Sequence, residues 1–188
     1  MPTLREVAYS LYGAYRLARL DLKGLDYIDR SVGGAIRSFF AAAIVAPAYI
    51  LLVLMRLGEG AGNVSFGGFL LVEGIAYVIS WTAYALIMDD LTRILDRSSR
   101  YPAFLSVYNW SAVLQMLVYL PAVVLSESGI FVPAFGETIV FVATMIVLAY
   151  QWFVTRITLE VSGIIAAGLV ILDLVLSVFI SGAADGML

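Results

Sequence analysis

A chain of 188 residues that is 62% hydrophobic and 13% charged, with a mean hydropathy of +0.98, carries about half the charge of a water-soluble domain, so an aqueous globule is excluded. A net charge of −3 leaves no basic footprint for a nucleic-acid partner, and the absence of Cys and His removes disulfides, thiolate or imidazole metal sites, and Ser-His or Cys-His catalysis. No metal and no cofactor is expected; the expected partner is the lipid bilayer, with a membrane protein or a second copy of the chain as further company.

The expected fold is all-α: a polytopic membrane protein with five transmembrane helices and an N-terminal amphipathic interfacial helix. Residues 1–33 form the amphipathic segment. Leu4, Val7, Ala8, Leu11, Tyr15, Ala18, Leu22 and Leu25 recur at steps of three and four and make one apolar stripe, with Arg5, Glu6, Ser10, Arg16, Asp21 and Lys23 on the other side. Such a helix either lies in the headgroup region or packs on the protein's own loops. The Gly33-Gly34 pair reads as a hinge. The first long apolar run starts late and lacks a short core with a small-residue cleavage site, so no cleaved leader is expected.

Residues 34–188 form the membrane domain, with spans at about 35–55, 66–88, 103–125, 130–155 and 161–181. The first has eighteen uncharged residues after Arg37, about 27 Å of helix, close to the hydrocarbon thickness. Pro47 in its middle leaves the Ala43 carbonyl without a helical partner and predicts a kink. Residues 58–65 read as a flexible loop and 126–129 as a tight turn; Pro102 and Pro133 suit first helical turns.

Residues 88–102 are the densely charged stretch between the apolar runs. Arg93, Arg97 and Arg100 are topology anchors, since moving them through hydrocarbon is costly. The Asp89–Arg93 and Asp96–Arg100 spacings allow the second helix to continue into water with ion pairs of its own. Ten of the eleven basic residues fall on one face of this topology and Arg56 alone on the other, so the amino terminus is expected in the cytoplasm and the carboxyl terminus outside, in a bacterial inner membrane. Tyr27, Trp81, Tyr84, Tyr101, Trp110, Tyr150 and Trp152 concentrate toward the cytoplasmic ends as an aromatic belt.

Ionisable residues at membrane depth are functional candidates by default, and the spans hold Glu73, Glu137 and Asp173. Counted inward from the outer ends they lie at similar depth, roughly 10 to 12 Å at the helical rise, and three carboxyls at one level would make a proton or cation site. The other reading is structural, each acid bonded to a neighbouring helix. Asn109 and Gln115, with Tyr108 and Tyr119, are the second polar set, read chiefly as interhelical hydrogen bonds. Asp89, Asp90 and Asp96 have the spacing of a cation-diphosphate motif, but the interleaved arginines neutralise them and a second acidic cluster is missing. No catalytic residue is assigned. Gly163, Ala166, Ala167, Gly168 and Val170 mark a small, closely packing face on the last span.

Five spans in a small chain with a cytoplasmic amino-terminal segment and an outward carboxyl end resemble the Yip family of small membrane proteins, over about residues 35–181. The resemblance rests on topology, neither Asp89-Asp90-Leu91-Thr92-Arg93 nor Tyr108-Asn109-Trp110-Ser111 being a motif of that family. It implies a non-enzymatic role in shaping membrane or recruiting partners, and no site residues are carried over. The leading expectation is thus a non-catalytic membrane protein acting through helix or membrane contacts, or an accessory subunit of a complex. A small proton- or cation-coupled transporter using the buried acids is the alternative, and a membrane enzyme with a cytoplasmic acidic site the third.

Overall fold

The computed structural model describes residues 1–58 and 65–188; residues 59–64 of the expected loop lie outside the described residues. The described chain is all-α, with seven helices: α1 (Leu4–Ala18), α2 (Val32–Ser38), α3 (Phe40–Gly58), α4 (Phe66–Ile94), α5 (Tyr101–Glu127), α6 (Pro133–Leu159) and α7 (Gly163–Asp185). Five stretches are long and apolar enough to cross a membrane: Val32–Arg56, Phe66–Ile94, Ser98–Glu127, Pro133–Leu159 and Gly163–Asp185. The protein is therefore an integral membrane protein with five candidate spans, as the hydropathy predicts.

Helix α5 is the hub. It packs against α1, α2, α3, α4 and α6, while α7 docks on α4 and α6. The α5–α6 pair runs antiparallel: Ser111 and Tyr150 share a hydroxyl hydrogen bond of 2.9 Å, and a Cβ on Gly136 would come within 2.7 Å of Ser126 Oγ. Glycine at 136 therefore lets the two helices close at that end.

The first span carries an interruption that its sequence does not lead us to expect. The interruption falls at Phe39, between α2 and α3, and Pro47 lies inside α3. Gly33 and Gly34 are not a hinge; they sit in the first turns of α2, whose N-cap Ser31 accepts from the Gly34 amide at 3.0 Å. A Cβ on Gly34 would fall 2.2 Å from the Asp29 carbonyl oxygen, so this glycine is there for close approach.

The amino-terminal segment is not one continuous helix. Leu20 adopts φ +61°, and the amides of Leu20 and Asp21 bond the carbonyls of Leu17 and Arg16 at 2.8 and 3.0 Å. This pattern ends α1 and turns the chain back. The 3-10 helix Leu22–Tyr27 then folds onto α1, with Gly13 and Gly24 so close that either would drive a Cβ into the other's carbonyl, at 2.6 and 2.4 Å. The face of α1 turned to the bundle is centred beside the expected stripe, of which Val7 and Leu11 pack against the core. Ser10, Gly13, Ala14 and Leu17 are buried, whereas Leu4, Ala8, Tyr15 and Ala18 are exposed. Ser10, assigned to the polar side by periodicity, is 1% exposed; a small polar residue here fits because helices approach closely where side chains are short.

The charged stretch also departs from the simple pattern. Arg93 pairs with Asp89 as spaced, but α4 ends at Ile94 and Asp96 takes φ +55°. The Arg97 amide bonds the Thr92 carbonyl at 2.7 Å. With the helix terminated there, the expected Asp96–Arg100 pair does not form, and Arg100 instead reaches Glu160 at 2.7 Å, tying the α4–α5 and α6–α7 connections together. The aromatic belt is in part core: Tyr84 and Trp110 are 1% and 2% exposed. Trp152 donates its indole N–H to the Gly163 carbonyl at 2.8 Å, so it fastens the α6–α7 turn.

Two predictions follow from the folded-back segment. Gly13→Ala lowers stability by about 1–3 kcal/mol, since the methyl meets backbone that cannot yield, while Gly168→Ala, with nothing within 4 Å of its Cβ position, gains up to about 1 kcal/mol of helix propensity. Thermal unfolding in detergent separates the two. Asp21 accepts a side-chain bond from Arg16 and a second from the Lys23 amide, and these hold its carboxyl below the usual carboxylate range. Its contribution is therefore complete above the unfolded aspartate value of about 4 and is lost as pH falls through the lowered folded value. Asp21→Asn should flatten the acid limb of the stability–pH curve below about pH 4.

Candidate functional site

The polar side chains of the spans gather in three places. The first is at the end of the bundle where α3 and α7 finish. Glu73 of α4 is 3% exposed; it accepts from the Tyr49 hydroxyl at 2.7 Å and from Arg56 at 3.3 Å. Arg56 also binds Asp185, at the last turn of α7. One guanidinium thus joins three helices and offsets a carboxylate that would otherwise be buried alone.

The second is in the middle of α7. Asp173 accepts from the Tyr108 hydroxyl at 2.8 Å and from the Gln151 amide, so one carboxyl oxygen ties α5 and α6 to α7 with neutral donors. Tyr84 packs against Tyr108 with tilted rings, centres 5.2 Å apart, and donates to the Leu169 carbonyl at 3.1 Å, one turn along α7.

The third sits beneath the amino-terminal segment. Asn109, fully buried, donates to Ser38 Oγ at 2.8 Å, and Ser38 donates on to the Ala35 carbonyl at 2.7 Å. Tyr150 donates to the Ala14 carbonyl at 2.8 Å while sharing its oxygen with Ser111. These bonds hold α1 and α2 against α5 and α6. Among the described residues, three buried oxygens here lack a partner: Ser106 Oγ, Asn109 Oδ1 and Thr155 Oγ1.

The three acids singled out by sequence do not share a set of partners. In the antiparallel α4–α7 pair, Tyr84 meets Leu169 and Ala76 packs with Ile180 and Ala184. On that register Glu73 lies opposite the last turn of α7, about 14–18 Å along the helix axis from the level of Asp173. Glu137 is exposed on the second turn of α6 and has no hydrogen-bond or ion-pair partner among the described residues. The equal depths expected from counting fail because the helices run to different lengths beyond the spans. Gln115 and Asn109 part company as well: Asn109 faces α2, whereas Gln115 borders a cleft of about 280 Å³ lined with Tyr49, Tyr77, Trp81 and Tyr119. Tyr49 is common to this cleft and to the Glu73 cluster.

Sequence reasoning missed Gln151, Tyr49, Ser38 and Asp185. Gln151 carried a usable signal, a lone amide in an apolar run, the same signal that singled out Gln115. Tyr49 and Ser38 carried none, because a tyrosine or serine in a span is common and its partner is set by packing. At the charged face Asp89 is held by Arg93, Asp90 and Asp96 are exposed, and no group of three metal-ligating side chains occurs among the described residues.

Chemically, Glu73 and Asp173 are acceptors already engaged by donors from other helices, and what they do in this arrangement is join spans. No family model matches the chain, and comparison with curated proteins and with solved structures returns no match.

Arg56→Gln should destabilise the bundle by about 2 kcal/mol by leaving Glu73 without its counter-charge. That is less than the 3–5 kcal/mol of a fully buried pair because Arg56 stays 47% exposed. Adding Glu73→Gln should recover most of the loss. A double-mutant cycle on thermal unfolding in detergent measures both, and additive single effects would break the assigned coupling.

Proposed function

We propose that this chain is a non-catalytic integral membrane protein that works through helix and membrane contacts, either organising the bilayer or serving as an accessory subunit of a larger assembly. The observation that supports this reading is the separate capping of the two acids inside the bundle: Glu73 by Tyr49 and Arg56, Asp173 by Tyr108 and Gln151. A carrier needs such groups to meet in one hydrated passage, and here they differ by about three helical turns of depth. Topology alone likens the chain to the Yip family, which fits a role in membrane shape or recruitment.

The same reading puts the amino terminus in the cytoplasm of a bacterial inner membrane, because ten of the eleven basic residues fall on one side of the five spans. It also gives the exposed apolar surface a use. Ile171, Val175, Val178 and Phe179 of α7 are 58–72% exposed, a face suited to lipid or to a helix of a partner.

Vesicles reconstituted with the protein and loaded with a pH-sensitive dye should show proton flux indistinguishable from empty vesicles. Asp173→Asn, which keeps an acceptor for Tyr108, should change that flux by nothing and shift stability by about 1 kcal/mol or less. Protein-dependent flux that the substitution abolishes would overturn the reading in favour of a carrier. Crosslinking from a photoreactive residue at Val178 in native membranes should then give a discrete protein adduct for an accessory subunit, or lipid adducts alone for a membrane organiser.

A further inference from the structure

A cleft of about 620 Å³ opens between α1 and the α5–α6 pair, within the size range of ligand pockets, about 300–1,000 Å³. Its wall on the bundle side is made by Leu117, Val118 and Ile146, with Gln115 as the polar group of its floor; Tyr15, Arg19 and Leu20 close it from α1. Leu117 and Ile146 are 67% and 53% exposed, so the cleft is open along the surface that faces lipid. We propose that it holds one anionic diacyl glycerophospholipid, its phosphate on Arg19 and an acyl chain along Leu117, Val118 and Ile146.

Charge complementarity singles out Arg19. Other arginines near it are occupied: Arg16 by Asp21, Arg37 by Glu6 and Asp29. Arg19 has no carboxylate partner among the described residues and lies over the Tyr15 ring, 5.8 Å from its centre, which holds a cation at the edge of an apolar cleft. A phosphate diester is the anion that arrives there already attached to hydrocarbon.

The local backbone supports the same occupant. Leu20 occupies the left-handed region, φ +61°, where glycine is the usual residue, and its side chain is 68% exposed and borders the cleft. A leucine held there at a conformational cost places apolar surface beside Arg19. Gln115 has no protein hydrogen-bond partner among the described residues, although it lies well inside α5. An unpaired amide inside a span is costly, so the cleft favours an occupant over an empty groove there. The site depends only on the chain being embedded in a membrane and stands whether or not the protein transports anything.

Native mass spectrometry of the detergent-solubilised full chain, titrated with phosphatidylglycerol or with phosphatidylcholine of identical chains, tests it. One phosphatidylglycerol per chain should bind at least about tenfold tighter than phosphatidylcholine, a difference of about 1.4 kcal/mol. Arg19→Gln should bring the two lipids level, while Arg5→Gln, a cation on the same helix but outside the cleft, should leave the preference intact. Leu117→Trp, filling the cleft, should weaken retention of both lipids without lowering the unfolding temperature, and this arm decides the matter should Arg19→Gln fail to fold. Equal binding of the two lipids, equal losses from Arg5→Gln and Arg19→Gln, or unchanged binding with the cleft filled would overturn the assignment.

Discussion

Helices already in lipid gain nothing from the hydrophobic effect by touching one another, so whatever holds this bundle together must come from close packing and from polar groups that find partners inside it. That constraint explains why α5 is the hub. It carries Tyr108, Asn109 and Ser111 within one turn, and each faces a different neighbour: Asp173 of α7, Ser38 of α2 and Tyr150 of α6. Three hydrogen bonds from one turn fix four helices in rotation and depth. An apolar turn at the same place would leave each helix free to slide.

Glycine acts by the same constraint at the edges of the fold. Gly13 against Gly24, Gly34 against Asp29 and Gly136 against Ser126 let backbones or short side chains touch where any Cβ would collide. Gly67, Gly74, Gly168 and Gly182 have nothing within 4 Å and make no such contact within the chain. The small face expected on the last span therefore divides. Ala166, Leu169 and Val170 are buried and Gly163 packs on Trp152, whereas Gly168 is exposed.

The five spans were legible because hydropathy over some twenty residues reports directly on the cost of dehydrating a helix. The Asp89–Arg93 pair and the first-turn prolines were legible for a similar reason, being local. What could not be read was anything set by rotation or by neighbours. Periodicity marked an apolar stripe on α1 correctly as apolar, yet the bundle took the adjacent, small-residue face, so that Val7 and Leu11 pack at its margin while Leu4, Ala8, Tyr15 and Ala18 stayed exposed. Counting from span ends gave Glu73 and Asp173 one depth, but α7 runs on to Asp185, past the expected end at residue 181, so equal counts did not mean equal heights. Left-handed Leu20 and Asp96 were invisible because neither is glycine.

Position then bears on use. Glu73 and Asp173 look alike in sequence, yet Glu73 shares a cation with Asp185 at a helix end, and Asp173 meets only neutral donors midway along α7. With these two acids engaged between helices, Gln115 between two clefts and Arg19 at the mouth of one are polar groups that border apolar walls open to the surroundings. The chemistry still available to an outside molecule is thus amphiphilic, a charge and an amide bordering hydrocarbon walls. Glu73 and Asp173, each bonded to neighbouring helices, hold in place the helices that form this surface, while among the described residues Gln115 and Arg19 stand on it without a carboxylate or amide partner.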